Sequence, residues 1–285
     1  MRWLVTGSAG FIGPHFLKLL EGEEVVTLNA HTRLGPIRAE SHVGDITDQA
    51  LIDTLVGRLL PDVIVHFAAE TSVTESYARP LSFVRTNIEG PVCLLEAIRR
   101  LSPKTRLIHV STDEVYGDHT DLAGSNTLLN PQNPYAASKA AAEHFIVAYQ
   151  RAYRLEVTVV RPSNNWGAGQ QTPKFLPSVL EAKRTRTPMV VQDLSISRDW
   201  LCVEDNVKAI HELGFERPGI WNISTGYQTT LGELLEMVGD VPYTVGQERP
   251  DADHAYRIDA SHTWKTLGWK PDPITTDPRF EEYVR

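Results

Sequence analysis

VTGSAGFIG, residues 5 to 13, sets Gly7, Gly10 and Gly13 directly behind an apolar run, RWLVT (2–6), and directly ahead of an amphipathic stretch, FIGPHFLKLLE (11–21). An apolar run rich in β-formers reads as a buried strand, and apolar residues at helical spacing read as one face of a helix. Glycines at such a strand-to-helix turn permit a tight bend, close approach of backbone to a pyrophosphate and close packing of helix on strand. The free N–H groups of the helix start face the anion. As the first βα turn of the chain, the motif points to a dinucleotide site rather than to a structural glycine turn. Pro14 falls in the first helical turn, where backbone N–H groups have no intrahelical partner, so it does not break the helix.

Outward from this turn the pattern repeats. Strand candidates follow at EVVTLN (24–29), DVIVHF (62–67), RLIHV (106–110) and EVTVVR (156–161). Helical stretches lie between them at 49–60, 80–100 and 135–153. Strands alternating with amphipathic helices predict an α/β fold of Rossmann type, a doubly wound parallel sheet covered on both faces. Beyond 162 the rhythm changes to Pro- and Gly-rich stretches (RPSNNWGAGQQTP), short strands (MVV, IWNIS) and polar-capped helices (STGYQTTLGELLEMV). The expected division is therefore a dinucleotide-binding domain over 1–162 and a smaller, mixed α/β region over 163–285.

Composition sets limits on this reading. The chain has 285 residues, 41% hydrophobic and 22% charged, which is ordinary for a globular protein and long enough for one large domain with an appendage. A formal net charge of −8 disfavours non-specific nucleic-acid binding, which needs a basic surface. Cys93 and Cys202 make no disulfide framework and no zinc pattern, and they read as small buried hydrophobes. The apolar part of the N-terminus is too short for a signal peptide and no run approaches a membrane span, so the expected location is cytoplasmic, with no metal and no membrane partner.

Three further features carry chemistry. At the end of the second strand, where a carboxylate is expected for an NAD ribose, the chain has Asn29, closely followed by Arg33 and Arg38. Asn can bond a hydroxyl without repelling a 2′-phosphate, so NAD and NADP both remain open. Tyr135 and Lys139 share one helix face at i and i+4, where an ammonium near a phenol would stabilise the phenolate and make Tyr135 a base near neutral pH. STDEVYG (111–117) places two hydroxyls and two adjacent carboxylates, Asp113 and Glu114, at a strand end. Alone it reads as a polar turn.

VTGSAGFIG, GDITD (44–48), HFAAETSV (66–73), TNIEG (86–90), STDEVYG, NPYAASKAAAEH, RPSNNWG, RDWLCVED (198–205) and WNIST, in this order, resemble the extended short-chain dehydrogenase/reductase family. Within it they are most similar to the nucleotide-sugar 4,6-dehydratases, the branch typified by dTDP-glucose 4,6-dehydratase. The resemblance spans nearly the whole chain. It implies a nucleotide-diphosphate sugar substrate and an internal NAD redox cycle. Tyr135 would take the 4-hydroxyl proton, Thr112 hold that hydroxyl, and Lys139 hold Tyr135 and the cofactor ribose. Glu114 would remove the C5 proton and Asp113 protonate the departing 6-hydroxyl. Adjacent carboxylates suit this, since mutual repulsion separates their titrations into an acid and a base.

The resemblance also implies a cofactor site of Gly7, Gly10, Phe11, Ile12, Gly13, Asn29, Asp45, Ile46, Phe67, Ala68, Ala69, Thr71, Thr86, Tyr135, Lys139 and Asn165. Its substrate site would use Thr71, Thr112, Asn164, Lys174, Phe175, Met189, Val191, Arg198, Arg249 and Tyr256, with the arginines suited to diphosphate. Departures from the pattern are Pro173 where a Glu is usual, Cys202 for a common Tyr, and His254 and Ala255 for an arginine pair; they leave the nucleotide base open. A homodimer through a four-helix bundle is expected from the helices carrying Val92, Leu95, Phe145, Ile146 and Tyr149. The alternatives are a 4-epimerase or a UDP-glucuronate decarboxylase of the same family, and a cofactor-binding protein whose catalysis has lapsed.

Overall fold

The run 2–6 forms strand β1 (Arg2–Thr6), in which Leu4 and Val5 are wholly buried. The chain is described by a computed structural model over residues 1–31, 39–118, 121–246 and 254–285; Arg33, Arg38 and Arg249 lie outside the described residues. After β1 come β2 (Glu24–Asn29), β3 (Glu40–Val43), β4 (Val63–His66), β5 (Arg106–Val110) and β6 (Val157–Pro162). Next are β7 (Asn164–Trp166), β8 (Met189–Val191), β9 (Ser197–Cys202), β10 (Ile220–Ile223), β11 (Gln228–Thr230) and β12 (Tyr243–Val245). Seven of them make one sheet in the order β10-β6-β5-β4-β1-β2-β3. Every neighbouring pair in it is parallel, as the strand–helix alternation predicts.

Alternation along the strands sends side chains to two cores. Val63, Val65, Ile108 and Val160 face one layer, made by helix α1 (Gly13–Leu19) and the segment 203–213. Ile64, Leu107, Val157 and Val159 face the other, made by α2 (Gln49–Leu59) and the helices of 90–101 and 134–153. Both faces are thus covered, as a parallel sheet requires.

The stretch 80–100 is not one regular helix. After α3 (Val73–Ala78) it runs as α4 (Pro80–Val84), a π-helical turn (Arg85–Glu89) and α5 (Gly90–Leu101). Pro91 has no N–H to give the Asn87 carbonyl, and at this point Gly90 N–H reaches back to Arg85 O instead. Helix α6 (Pro134–Tyr153) follows, capped by the Asn133 side chain on Ala136 N.

The later chain continues with α7 (Phe175–Thr185), α8 (Val203–Leu213) and α9 (Leu231–Val238), then α10 (Ser261–Leu267) and α11 (Pro278–Val284). Around Trp166, Leu176, Trp200, Leu234 and Phe280 this region builds a core of its own. The boundary expected at 162 is crossed, however: α8 and β10 return to cover and extend the main sheet. Strand β3 has no counterpart among the strand candidates. It is a polar edge strand, mostly exposed, with no apolar run to betray it. Cys93 and Cys202 are buried and unpaired, as expected. Among the described residues no helix is long and apolar enough to cross a membrane.

Candidate active site

Parallel strands that end together leave a crevice at their carboxyl edge. Gly7 follows β1 with φ +69, and a Cβ there would lie 2.4 Å from Ala68 N. A Cβ on Gly13 would lie 2.4 Å from Ser8 Cα, whereas one on Gly10 would come no nearer than 3.3 Å to Gly7 O. The outer two glycines thus serve the turn and the packing, and the middle one leaves backbone open to the crevice, as a bound pyrophosphate requires. Phe11 and Ile12 pack at the edge of the α1 core. Phe67, Ala68 and Ala69 directly follow β4, with Phe67 packed against one core and Ala68 against the other. Asp45 accepts from Thr47 N at 2.9 Å, and buried Ile46 packs against Gly90. Thr86 lies in the π turn, whose Asn87 bonds Glu70 N, Glu70 O and Ser138 Oγ at 2.9 Å each.

Asn29 also braces the glycine-rich loop. It is buried, its Oδ1 accepts from Ala9 N at 2.8 Å and Ser8 Oγ at 3.2 Å, and its Nδ2 donates to Ser8 Oγ at 3.0 Å. The amide thereby helps to hold the glycine-rich loop.

Beyond β5 the chain turns through one 3₁₀ turn, Asp113–Tyr116. Thr112 caps it by accepting from Glu114 N at 3.3 Å, and its hydroxyl donates to Asp113 Oδ1 at 3.3 Å. The two carboxyls then meet different surroundings. Asp113 is 2% exposed with Oδ2 unpartnered. Burial, and then the charge of Glu114, push its pKa well above the usual carboxylate range. Glu114 receives a hydrogen bond from Asn133 Nδ2 at 3.1 Å and feels the Lys174 ammonium.

Tyr135 and Lys139 both point inward from α6 and are buried. Tyr135 shares a hydrogen bond with Thr112 and packs edge-on to Phe83, ring centroids 6.4 Å apart. The expectation that Lys139 stabilises a phenolate does not hold in the protein alone. Burial, with Glu114 and Asp113 nearby, raises the Tyr135 pKa, and the Lys139 ammonium donates instead to Val110 O at 2.6 Å. Burial lowers Lys139 to about 8.

On the substrate side, Asn164 buries an unpartnered Oδ1. Asn165 is internally engaged, donating to Ser163 O at 2.8 Å and accepting from Asn206 Nδ2 at 2.7 Å. Lys174 donates to Thr71 O at 3.2 Å, joining the two halves of the cleft. The Arg198 guanidinium lies 4.5 Å from the Tyr256 ring centre and donates to His254 O at 3.1 Å. One expectation changes. Val191 is 2% exposed and its side chain belongs to the smaller core, while Val190 of the same strand is 65% exposed. Phe175 packs on Trp200, centroids 6.1 Å apart, at the start of α7. Of the residues expected at a dimer face, Leu95 and Ile146 are wholly buried in the chain's own core, and Tyr149 OH donates to Glu96 at 2.7 Å. The exposed apolar side chains along these stretches include Leu81, Val84, Leu101, Phe145 and Tyr153.

Sequence reasoning missed the polar residues beneath the site. Glu143 and Arg161 form a buried ion pair, and His66 and His109 stand side by side under α6, ring centroids 5.4 Å apart. Glu143 follows Lys139 by four residues on the same helix face, a spacing that could have flagged it.

Comparison with known proteins gives the same picture. The family model for GDP-mannose 4,6 dehydratase matches residues 4–277. A dTDP-glucose 4,6-dehydratase of Xanthomonas campestris pv. campestris is 34% identical over 311 residues, spanning 94% of this chain and 88% of the relative. The structure of DesIV, a dTDP-glucose 4,6-dehydratase from Streptomyces venezuelae solved with NAD and TYD bound, aligns with TM-score 0.89 and 32% identity over 95% of this chain and 92% of that one. A UDP-glucose 4-epimerase of Thermus thermophilus, solved with NAD, aligns with TM-score 0.88 and 28% identity over 95% and 94%.

Proposed function

The chain belongs to the GDP-mannose 4,6-dehydratase family, and from this we propose that it is an NAD-dependent nucleotide-sugar 4,6-dehydratase of the dTDP-glucose kind. It converts a nucleotide-diphosphate hexose to the 4-keto-6-deoxy sugar and serves deoxysugar synthesis. The observation that carries the proposal is the asymmetric pair: a buried Asp113 with one unpartnered oxygen, its pKa pushed up by burial, next to a Glu114 supported by Asn133 and Lys174. Elimination across C5 and C6 needs an acid and a base together, and paired groups with titrations pushed apart supply them.

Gly7, Gly10 and Gly13 would hold NAD in the crevice, where it would supply the acceptor for hydride from C4 and the donor of hydride to C6. Tyr135 takes the 4-hydroxyl proton, with Thr112 holding both hydroxyls in line. Burial makes a phenolate costly in the protein alone, so Tyr135 would serve as the base only with the positive nicotinamide ring of bound NAD and the Lys139 ammonium beside it. Once C4 is a ketone, the C5 proton is acidified. Glu114 removes it and Asp113 delivers its proton to the leaving 6-hydroxyl; Glu114 then returns its proton to C5 as C6 takes back the hydride. Lys139 holds the Tyr135 side of the cleft, and Asn164 offers a free carbonyl oxygen to a sugar hydroxyl. Lys174 and Arg198 face the diphosphate. A homodimer packing Leu81, Val84 and Phe145 of two chains together, and a cytoplasmic site of action, belong to the same proposal.

The test is mass spectrometry of products from dTDP-glucose, UDP-glucose, CDP-glucose and GDP-mannose, incubated with the protein as purified. Loss of one water from one donor supports the reading and names the base. The fold's likeness to an epimerase favours one second reading: unchanged mass with inversion at C4 would replace the dehydratase by a 4-epimerase and reduce Asp113 to a turn residue.

A further inference from the structure

Beneath the acidic turn lies a polar network that the mechanism above leaves unused. Glu143 and Arg161, each 2% exposed, pair across the gap between α6 and β6; Arg161 Nε lies 3.1 Å from both Glu143 oxygens. Glu143 also accepts from Ser111 Oγ, the residue just before Thr112. On its other side Arg161 donates to Tyr116 OH at 2.6 Å, at the far end of the same turn, and its guanidinium stacks 4.7 Å from the Tyr116 ring centre. Tyr116 OH in turn donates to Asn222 Oδ1 on β10 at 2.8 Å. One ion pair therefore touches both ends of the segment that carries Thr112, Asp113 and Glu114, and it is rooted on the helix that carries Tyr135 and Lys139.

Glu143 has a second neighbour. It stands one helical turn after Lys139 on the same face of α6, and it supports the ammonium charge there. The other titratable groups around Lys139 are His66 on β4 and His109 on β5, both wholly buried and held neutral by burial and by Lys139 itself. Tyr135, on the same helix, has its pKa raised by burial. Arg161 sits behind Glu143. Among the described residues, Glu143 is the negative group that balances Lys139.

We propose that Glu143 is a positioning residue for the reaction: with Arg161 it clamps Ser111 and Tyr116, and so the acidic turn, against the Tyr135–Lys139 helix, and it faces the Lys139 ammonium one turn back on the same helix. The proposal rests on the dehydratase reading only where turnover is measured.

Two experiments test it. The first needs no substrate: with lysine labelled at its ε carbon and Lys139 assigned through Lys139→Arg, the titration of Lys139 is followed by NMR in wild type and in Glu143→Gln. The midpoint is expected to fall by about one pH unit, as for loss of an adjacent opposite charge. Where the stranded Arg161 prevents folding, Glu143→Met with Arg161→Met removes the pair together and stands in for it. An unchanged midpoint overturns the charge-balancing role. The second uses Ser111→Ala and Tyr116→Phe, which leave the ion pair whole. Water loss is expected to slow at least about tenfold, the loss ordinary for a misplaced catalytic group, while reduced nicotinamide accumulates during turnover and KM stays constant. Turnover with the wild-type balance between hydride transfer and water loss overturns the clamp. A wild-type protein that dehydrates no donor would sink the dehydratase reading, and the lysine titration would still decide the role of Glu143.

Discussion

Replacing Asp113 by Asn tests the acid assignment through stability as well as activity. The carboxyl is 2% exposed, one oxygen lacks a partner, and Glu114 stands next to it, so its folded-state pKa is raised well above the ordinary value of about 3.9. A raised pKa means that the folded protein keeps a proton the unfolded chain has released. Stability therefore falls as pH rises, beginning near the unfolded value of about 4 and ending at the folded pKa of the pair, at about 1.4 kcal/mol per pH unit. For a chain of 285 residues the unfolding entropy is about 0.6 kcal/mol/K, so that slope corresponds to about 2 °C per pH unit. The amide of the Asp113→Asn variant carries no such proton. Measured by scanning fluorimetry with saturating NAD in both samples, Tm of Asp113→Asn minus Tm of wild type should climb by about 2 °C per pH unit from about pH 4.5, then level off at the pH where Asp113 ionises. The same variant should still reduce the nicotinamide but lose water about 10²- to 10³-fold more slowly, since an amide cannot give up a proton. A Tm difference that stays flat from about pH 4 to about pH 8 would refute the buried acid.

Three other expectations follow from named contacts. Gly7→Ala pushes a Cβ to 2.4 Å from Ala68 N at φ +69, a conformation costing about 1–2 kcal/mol for any L side chain; the protein should purify without dinucleotide, which the spectrum of a denatured supernatant reports. Glu114→Gln should still form reduced nicotinamide from substrate, yet product should acquire no solvent deuterium at C5; exchange at the wild-type rate would move the base elsewhere. Leu81→Asp with Phe145→Asp places charges on two side chains that are 74% and 45% exposed. Light scattering should then report a monomer, against the dimer proposed for the wild type; a wild-type protein that is itself a monomer would refute that dimer.

Part of the fold and site is open to reading from the chain and part is not, and the dividing line is physical. The glycine turn and the parallel sheet are legible because local steric needs and apolar runs fix them within a few residues. Strand β3 is not, because an exposed edge strand buries too little to need apolar residues. Nor is the facing of β8: in a three-residue strand, nothing local decides whether Val190 or Val191 turns inward, and the smaller core takes Val191. Asn29 stands where a ribose contact is expected, but whether its amide meets a ligand or Ser8 and Ala9 depends on a loop about twenty positions away in the chain.

The acidic pair marks the limit most sharply. Adjacency of Asp113 and Glu114 is plain in the sequence, and it alone predicts that their titrations separate, yet it is silent on which becomes the acid. That choice is made by residues from other segments. Asn133, capping α6, and Lys174, ahead of α7, both face Glu114, while the chain closes over Asp113 and leaves one oxygen unpartnered. The same turn is held from behind by Glu143 and Arg161, whose pairing joins α6 to β6. A local motif supplies the chemical groups, and tertiary contacts assign their roles: moving Asn133 or Lys174 away from Glu114 would erode the asymmetry that elimination needs while leaving STDEVYG untouched.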